Sequence, residues 1–342
     1  MFTRLVGNIN AKKRLERMFE VGRLPNALLF TGPEGVGKRS FALGVARRSV
    51  CTAGGCGKCP ACERAGRFTF PAEDDKNKDD YKRVFFSEHL DVGMVVPYKR
   101  NILVDAIRDL EREAHFRPYE AETRVFIIDN AEKMNDQAAN ALLKTLEEPP
   151  ATSHIILVTS QPDRLLPTIR SRTQAVRFGP VAAKEAEEYL AGERGFSKED
   201  ARLAAIAAKG SIGAAVFLDL AAYREQRAAM LGVLRDAAVA GDLAALLAAG
   251  EAMNEAKNKE HFEPSLDILE TLARDVMVLA AGGPELIANP DIANELGEIA
   301  AAAGAHRAAE WITAIEETRT ALNVNLNRKI AADALFVRFA GA

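Results

Sequence analysis

Long apolar runs are missing from this chain. No stretch approaches 18 uncharged apolar residues, so no transmembrane helix is expected. The opening segment, Met1–Phe19, has no continuous apolar core and no small-residue cleavage site, and its five Lys/Arg residues are spread through it, so a secretory signal is not expected. An excess of basic charge is missing too. With 45 Lys+Arg against 48 Asp+Glu the formal net charge is -3, which excludes a broad nonspecific grip on nucleic acid and leaves room only for a local basic patch. Aromatic residues are few, at 6%. Alanine is abundant in the second half, and the two together favour closely packed helices there. Cysteine is nearly absent: four residues, all within one short stretch. A cytoplasmic location is expected, where such thiols stay reduced or hold a metal.

What remains is an ordinary globular composition, 48% hydrophobic and 27% charged. At roughly 100–200 residues per domain, 342 residues suggest two or three domains. The first part alternates short apolar runs with helical patterns. Ala27–Thr31, Val125–Ile128 and Ile155–Thr159 read as buried strands, and Arg83–Phe86 as a further short one. Arg39–Arg48, Ile102–His115 and the segment around Asn140–Leu146 read as helices. Such alternation predicts a parallel sheet with helices on both faces. Beyond Pro180 strand signals fade. Lys184–Glu193, Lys198–Lys209 and Gly210–Leu220 read as short helices, and longer helical patterns follow, broken at Gly241, Gly282–Pro284, Pro290 and Gly304. The expected division is an α/β core over 1–179, a small helical lid over 180–221 and an all-α domain over 222–342. The mixed-charge run Glu73–Asp80 reads as a solvated loop, with an interaction tail as the alternative.

Gly32-Pro33-Glu34-Gly35-Val36-Gly37-Lys38 fits the phosphate-loop spacing G-x-x-x-x-G-K, and it lies between a strand and a helix, as that motif requires. Gly32, Gly35 and Gly37 let backbone N–H groups turn inward at a phosphate, and Lys38 adds a mobile charge. The next residue should carry a hydroxyl that holds Mg²⁺. Here it is Arg39, and Ser40 comes one position late, about 100° further round the helix. Val125–Ile128 ends at Asp129, a candidate Mg²⁺ ligand. The following position, where related ATPases place a glutamate that polarises water, is Asn130, whose amide is no general base. Glu132 is expected to face elsewhere.

Cys51, Cys56, Cys59 and Cys62 form C-x4-C-x2-C-x2-C. Four thiolates can close a tetrahedral zinc site, and Gly54, Gly55 and Gly57 allow the chain to wrap. An iron–sulfur cluster is a rival, but there the fourth cysteine follows the run and precedes a proline, whereas here it comes first. Free thiols are the third possibility. With no open coordination position, a bound zinc would be structural.

These segments, with Ile127–Met134, Leu142–Pro150 and Leu166–Arg172, resemble the bacterial clamp-loader subunits of DNA polymerase III, within the AAA+ class. The likeness is strong over roughly the first 180 residues and weaker beyond, where Asn323–Leu326 also resembles the family's last helix. It implies an AAA+ core, a lid and a helical collar. Arg39, Asn130 and Gly213, the last standing where motors place a phosphate-sensing arginine, suit the non-hydrolysing delta-prime branch rather than the tau/gamma motors. The resemblance implies that Ser171-Arg172 presents an arginine finger, Arg172, to a neighbouring subunit's ATP, although Thr173 stands where the family has cysteine. It implies nucleotide binding by Gly32, Gly35, Gly37, Lys38 and Asp129, with ATP or ADP possible and hydrolysis not expected, and it offers Thr159 or Ser160 as a first sensor. The implied partners are tau/gamma and delta subunits, primer–template DNA and the sliding clamp. A tau/gamma-type motor is the alternative function.

Overall fold

A computed structural model describes residue 2 and residues 5–254, 262–323 and 327–341. The chain forms two compact units, Met1–Phe217 and Leu218–Ala342. In the first, strands β1 (Ala27–Thr31), β2 (Phe85–Phe86), β3 (Val92–Val95), β4 (Arg124–Ile128), β5 (Ser153–Thr159) and β6 (Gln174–Arg177) make one sheet in the order β2-β3-β4-β5-β1-β6. All neighbours pair in parallel except β2, which runs antiparallel at the edge. β3 and β6 were not expected from the sequence. Each is four residues long, and β3 carries Gly93 where a strand former would signal it.

Two-residue periodicity builds a core on each face. Leu28, Phe30, Val125, Ile127, Ile156 and Val158 point to one side, where helices α1 (Ile9–Glu20) and α2 (Lys38–Val50) bring Leu15, Phe41 and Val45. Ala27, Leu29, Phe126, Ile128, Ile155 and Leu157 point to the other. There α4 (Val104–Ala114), α5 (Asp136–Glu147) and α6 (Pro167–Arg172) supply Ile107, Leu110, Leu142 and Ile169. The five-residue α3 (Pro60–Arg64) follows α2, so the helices flank a sheet buried on both faces, as parallel strands require. Three further helices, α7 (Ala183–Glu193), α8 (Lys198–Ala207) and α9 (Ile212–Phe217), complete the unit.

β4 enters the sheet through a buried charge cluster. Arg124 and Asp91 are both wholly buried, with Arg124 Nε 3.6 Å from Asp91 Oδ1 and Nη2 3.4 Å from Glu113 Oε2. Asp91 also accepts hydrogen bonds from the backbone N–H groups of Tyr119, Glu120 and Ala121 at 2.7, 2.9 and 2.9 Å. This clasp ties the loop before β4 to the loop before β3.

The second unit is helical among its described residues: α10 (Leu220–Arg235), α11 (Leu243–Asn254), α12 (Phe262–Ala280), α13 (Ala293–Asn323) and α14 (Arg328–Ala340). α10 widens into a π turn over Asp236–Ala240, and α13 is interrupted at Gly304, whose φ of 72° is non-helical. Trp311, Phe336 and Phe339 anchor its core. Val324–Leu326, part of the segment that resembles the family's last helix, lie outside the described residues.

Replacing Asp91 by alanine leaves Arg124 with Glu113 as its remaining ion-pair partner and takes the acceptor from three backbone N–H groups, so Asp91→Ala is expected to cost about 3–5 kcal/mol. The urea midpoint of the first unit's transition measures this. An unchanged midpoint would show that the clasp contributes nothing.

Candidate functional site

β1 ends at Thr31 and hands the chain to Gly32, whose φ is 147°. A Cβ there would run into the carbonyl oxygen of Phe178, so only glycine lets the loop leave the sheet at this point. Gly35, at φ 73°, lies so close to Ser211 that a side chain would overlap the Ser211 hydroxyl. Gly37, at φ 96°, caps α2. Lys38 opens the helix and is buried, its Nζ donating to the carbonyls of Gly32 at 2.7 Å and Pro33 at 2.6 Å. Burial lowers the Lys38 ammonium pKa, and the charges of Glu132, Glu34 and Asp129 oppose the shift.

Asp129 follows β4 and is held by its N–H donating to Val95 at 2.9 Å. Its carboxylate is largely buried, which raises its pKa. The nearest opposing charge is Arg39, whose Nη1 lies 3.3 Å from Asp129 Oδ2. The same guanidinium sits 5.3 Å from the ring centroid of Phe70. Arg39 thus stands between α2 and the strand-end carboxylate. A magnesium ion needs an octahedron of oxygens at about 2.0–2.1 Å. The residues here do not fit it: a fixed cation already lies against Asp129, and the expected hydroxyl is absent from position 39.

Asn130 takes a left-handed turn, φ 51°, at the rim of the cleft. Glu132 does not face away, as the sequence suggested. It accepts from Ser160 Oγ at 2.9 Å, and its charge is the strongest of those opposing the shift at Lys38. A three-residue 3₁₀ turn, Ala131–Lys133, folds it back toward the end of β5. Thr159 is buried, whereas Ser160 is half-buried and, with Thr159, lines the cleft.

The cleft has a volume of about 400 Å³, within the range of small-molecule sites. Gly35, Lys38, Arg39 and Asp129 line one side, and Tyr189, Arg194 and Gly213 the other. Gly213 donates its N–H to the Gly35 carbonyl at 2.9 Å, and a Cβ on Gly213 would come within 3.2 Å of Gly35 Cα. A side chain here would be tight against the loop, which would have to give slightly to admit it. Sequence reasoning missed Tyr189 and Arg194. They sit at the end of an ordinary helical pattern, and only the fold brings them to the loop.

Arg172 ends α6 and does not line this cleft. It is half-exposed, held by Glu147 Oε1 of α5 at 2.8 Å and by the Thr168 carbonyl at 3.1 Å. Thr173 donates to the Ile169 carbonyl at 3.1 Å. The arginine is therefore braced at the surface.

The four cysteines converge, their sulfurs all within 4.8 Å of one another. Cys51 Sγ lies 3.8 Å from Cys56 Sγ and 3.6 Å from Cys59 Sγ. Tetrahedral Zn–S bonds of about 2.3 Å have sulfur–sulfur edges of about 3.8 Å, so the donors fit a four-thiolate metal site. Gly54, Gly55 and Gly57 adopt φ of 75°, 80° and 71° to wrap the loop. Burial alone would raise the Cys51 thiol pKa, but the backbone amides of Cys56 and Gly55 with the neighbouring sulfurs bring it down to about 6. Burial pushes Cys62 up to about 12. The loop is tied to α2 by Arg47 Nε donating to the Cys62 carbonyl at 3.2 Å.

Residues 7–182 match the family model described as DNA polymerase III, delta subunit. The chain is 30% identical to the DNA polymerase III subunit delta' of Bacillus subtilis over 92% of its own length and 91% of that protein's. The chain belongs to the DNA polymerase III delta'-subunit family. The delta' subunit of Escherichia coli is likewise 30% identical, over 84% of this chain and 80% of that one. The gamma/tau subunit of Mycobacterium tuberculosis is 32% identical over 56% of this chain but only 30% of its own length. The likeness to delta' subunits thus runs along most of the chain, whereas that to the gamma/tau subunit covers about half of it.

A coordinating thiol must lose its proton, and burial raises the pKa of Cys62 and so opposes that loss. Metal uptake is therefore expected to release protons, and affinity to rise with pH. Titration with Cd²⁺, followed by its thiolate charge-transfer absorption, should show tight binding near pH 8 and loss toward about pH 5.5, and Cys62→Ser should weaken it. Binding that does not depend on pH would mean the thiols are not the ligands.

Proposed function

We propose that the chain serves as the delta'-type subunit of a DNA polymerase III clamp loader, supporting ATP-driven loading of the sliding clamp onto primed DNA without hydrolysing ATP itself. The observation that carries this is the likeness to delta' subunits along nearly the whole chain. On this account residues 1–179 are the AAA+ core, 180–221 the lid and 222–342 the collar through which tau/gamma and delta subunits assemble with it. Primer–template DNA and the clamp are partners of that assembly, in the cytoplasm.

Gly32, Gly35, Gly37 and Lys38 would hold the phosphates of a nucleotide, with Asp129 at the site's edge. A bound nucleotide supplies the anionic phosphates that would draw Lys38 away from the Gly32 and Pro33 carbonyls. Asn130 offers no base, and Arg39 takes the metal's place, so attacking water is neither activated nor oriented. The zinc ion proposed for Cys51, Cys56, Cys59 and Cys62 would supply a structural cross-link at the far end of α2.

Arg172 is the group we assign to catalysis in trans. It lies outside its own chain's cleft, and Glu147 fixes its guanidinium at the surface. Placed against a neighbour's ATP, it would stabilise charge developing on the transferred phosphoryl group. Arginine fingers are worth about 10³–10⁵ in rate in other NTPases.

The likeness to gamma/tau chains and the complete glycine loop favour one other function, a hydrolysing motor. DNA-stimulated ATPase of a reconstituted loader separates them. With Arg172→Ala, turnover should fall by about 10³ while assembly, followed by size-exclusion chromatography, holds. Unchanged turnover would remove the finger. Turnover by the isolated chain that Lys38→Ala abolishes would establish the motor.

A further inference from the structure

The disagreement between this cleft and magnesium points to the ligand form it takes. In a metal-dependent phosphate loop, a hydroxyl after the lysine and an aspartate at the strand end share one divalent ion. Here the same two positions are joined directly. Arg39 Nη1 meets Asp129 Oδ2 at 3.3 Å, and Phe70 backs the guanidinium. Asp129 is mostly buried, so in the absence of a metal it needs a cation, and the chain provides one covalently. A guanidinium has five N–H donors in a planar fork, and one ion pair leaves others for phosphate oxygens. It is also less strongly hydrated than an ammonium and stays charged across the working pH range.

The remaining charges suit a short polyphosphate. Lys38 and Arg194 join Arg39 around the cleft, against the carboxylates of Glu34 and Asp129. Asp129 already consumes part of the Arg39 charge. A triphosphate brings one more anionic group than a diphosphate, and no divalent ion is available to neutralise it. Tyr189 lies in the same cleft, its ring 5.8 Å from the Arg194 guanidinium carbon, and offers an aromatic face to a base.

We propose that the cleft binds a nucleoside diphosphate free of divalent metal, with the Arg39 guanidinium standing in for the magnesium ion. This rests on the nucleotide site proposed above and specifies its ligand. Magnesium then acts as a competitor: it withdraws free diphosphate into a complex whose metal has no place beside Arg39. The phosphate loop is retained as a resting grip on a spent nucleotide rather than as a hydrolytic centre.

Calorimetric titration of the full chain with ADP tests this, in EDTA and in excess Mg²⁺. The wild-type chain should bind ADP more tightly in EDTA, and ATP more weakly than ADP. Arg39→Thr removes the fixed cation and restores a hydroxyl beside Asp129. It should reverse the order, so that Mg²⁺ tightens ADP binding about tenfold. Arg39→Lys keeps a charge at the position and should keep metal-free binding, which leaves the experiment readable if Arg39→Thr fails a thermal-unfolding check. Wild-type binding that is tightened by Mg²⁺ would overturn the stand-in role and leave the nucleotide site intact. Absence of ADP binding in both buffers, by a chain that melts normally, would remove the nucleotide site and this inference together.

Discussion

A carboxylate buried at the end of a central strand must be neutralised, and the architecture of this chain's cleft follows from how that is done. After Arg124, β4 is apolar from Val125 to Ile128 and delivers Asp129 to a place that water barely reaches. Arg39 answers it from the first turn of α2. Beside that pair, the lysine of the loop between β1 and α2 is turned inward onto the Gly32 and Pro33 carbonyls, and Glu132 is the strongest charge opposing the Lys38 shift. On the function proposed above, Arg39 and Asn130 would remove hydrolysis without any change in the sheet that carries the loop.

Much of this was legible in the sequence because the signals are local. The phosphate loop, the strand ending in Asp129 and the cysteine spacing each lie within a dozen or so residues, and each sits where its motif demands. The two-sided sheet was legible too, since Val125–Ile128 and Ile155–Thr159 are unbroken apolar runs. What escaped depends on distance along the chain. β6 has one buried residue in four, so no alternation betrays it. The return of Glu132 toward Lys38 needs a 3₁₀ turn that no pattern announces. Tyr189 and Arg194, on and just after α7, reach the cleft through the fold, as does the contact of Gly213 in α9 with Gly35, between residues far apart in sequence.

The placement of Arg172 completes a division of labour within the first unit. The cleft opens between the loop and helices α7 and α9, whereas Arg172 is braced by Glu147 at the end of α5. In the loader proposed above, such a chain would offer different surfaces at its two sides, one receptive and one donating. Contacts between unlike surfaces propagate from copy to copy unless one side is blocked. On that proposal, a cleft without hydrolysis beside a donor arginine would suit a subunit that ends a row of motors.

The cysteine loop adds a consequence for α2. This helix of 13 residues is held at its first turn by Arg39 on Asp129 and at its last by Arg47 on the Cys62 carbonyl. Helices ordinarily fray from their ends, where opening a turn is nearly free. Neither end of α2 is free to do so, because each is tied to a different part of the chain. Fraying the far end would mean breaking the grip on the thiol loop, and fraying the near end would mean exposing a buried carboxylate. The amide protons at both ends of this helix are therefore expected to exchange with water more slowly than those at untied helix ends.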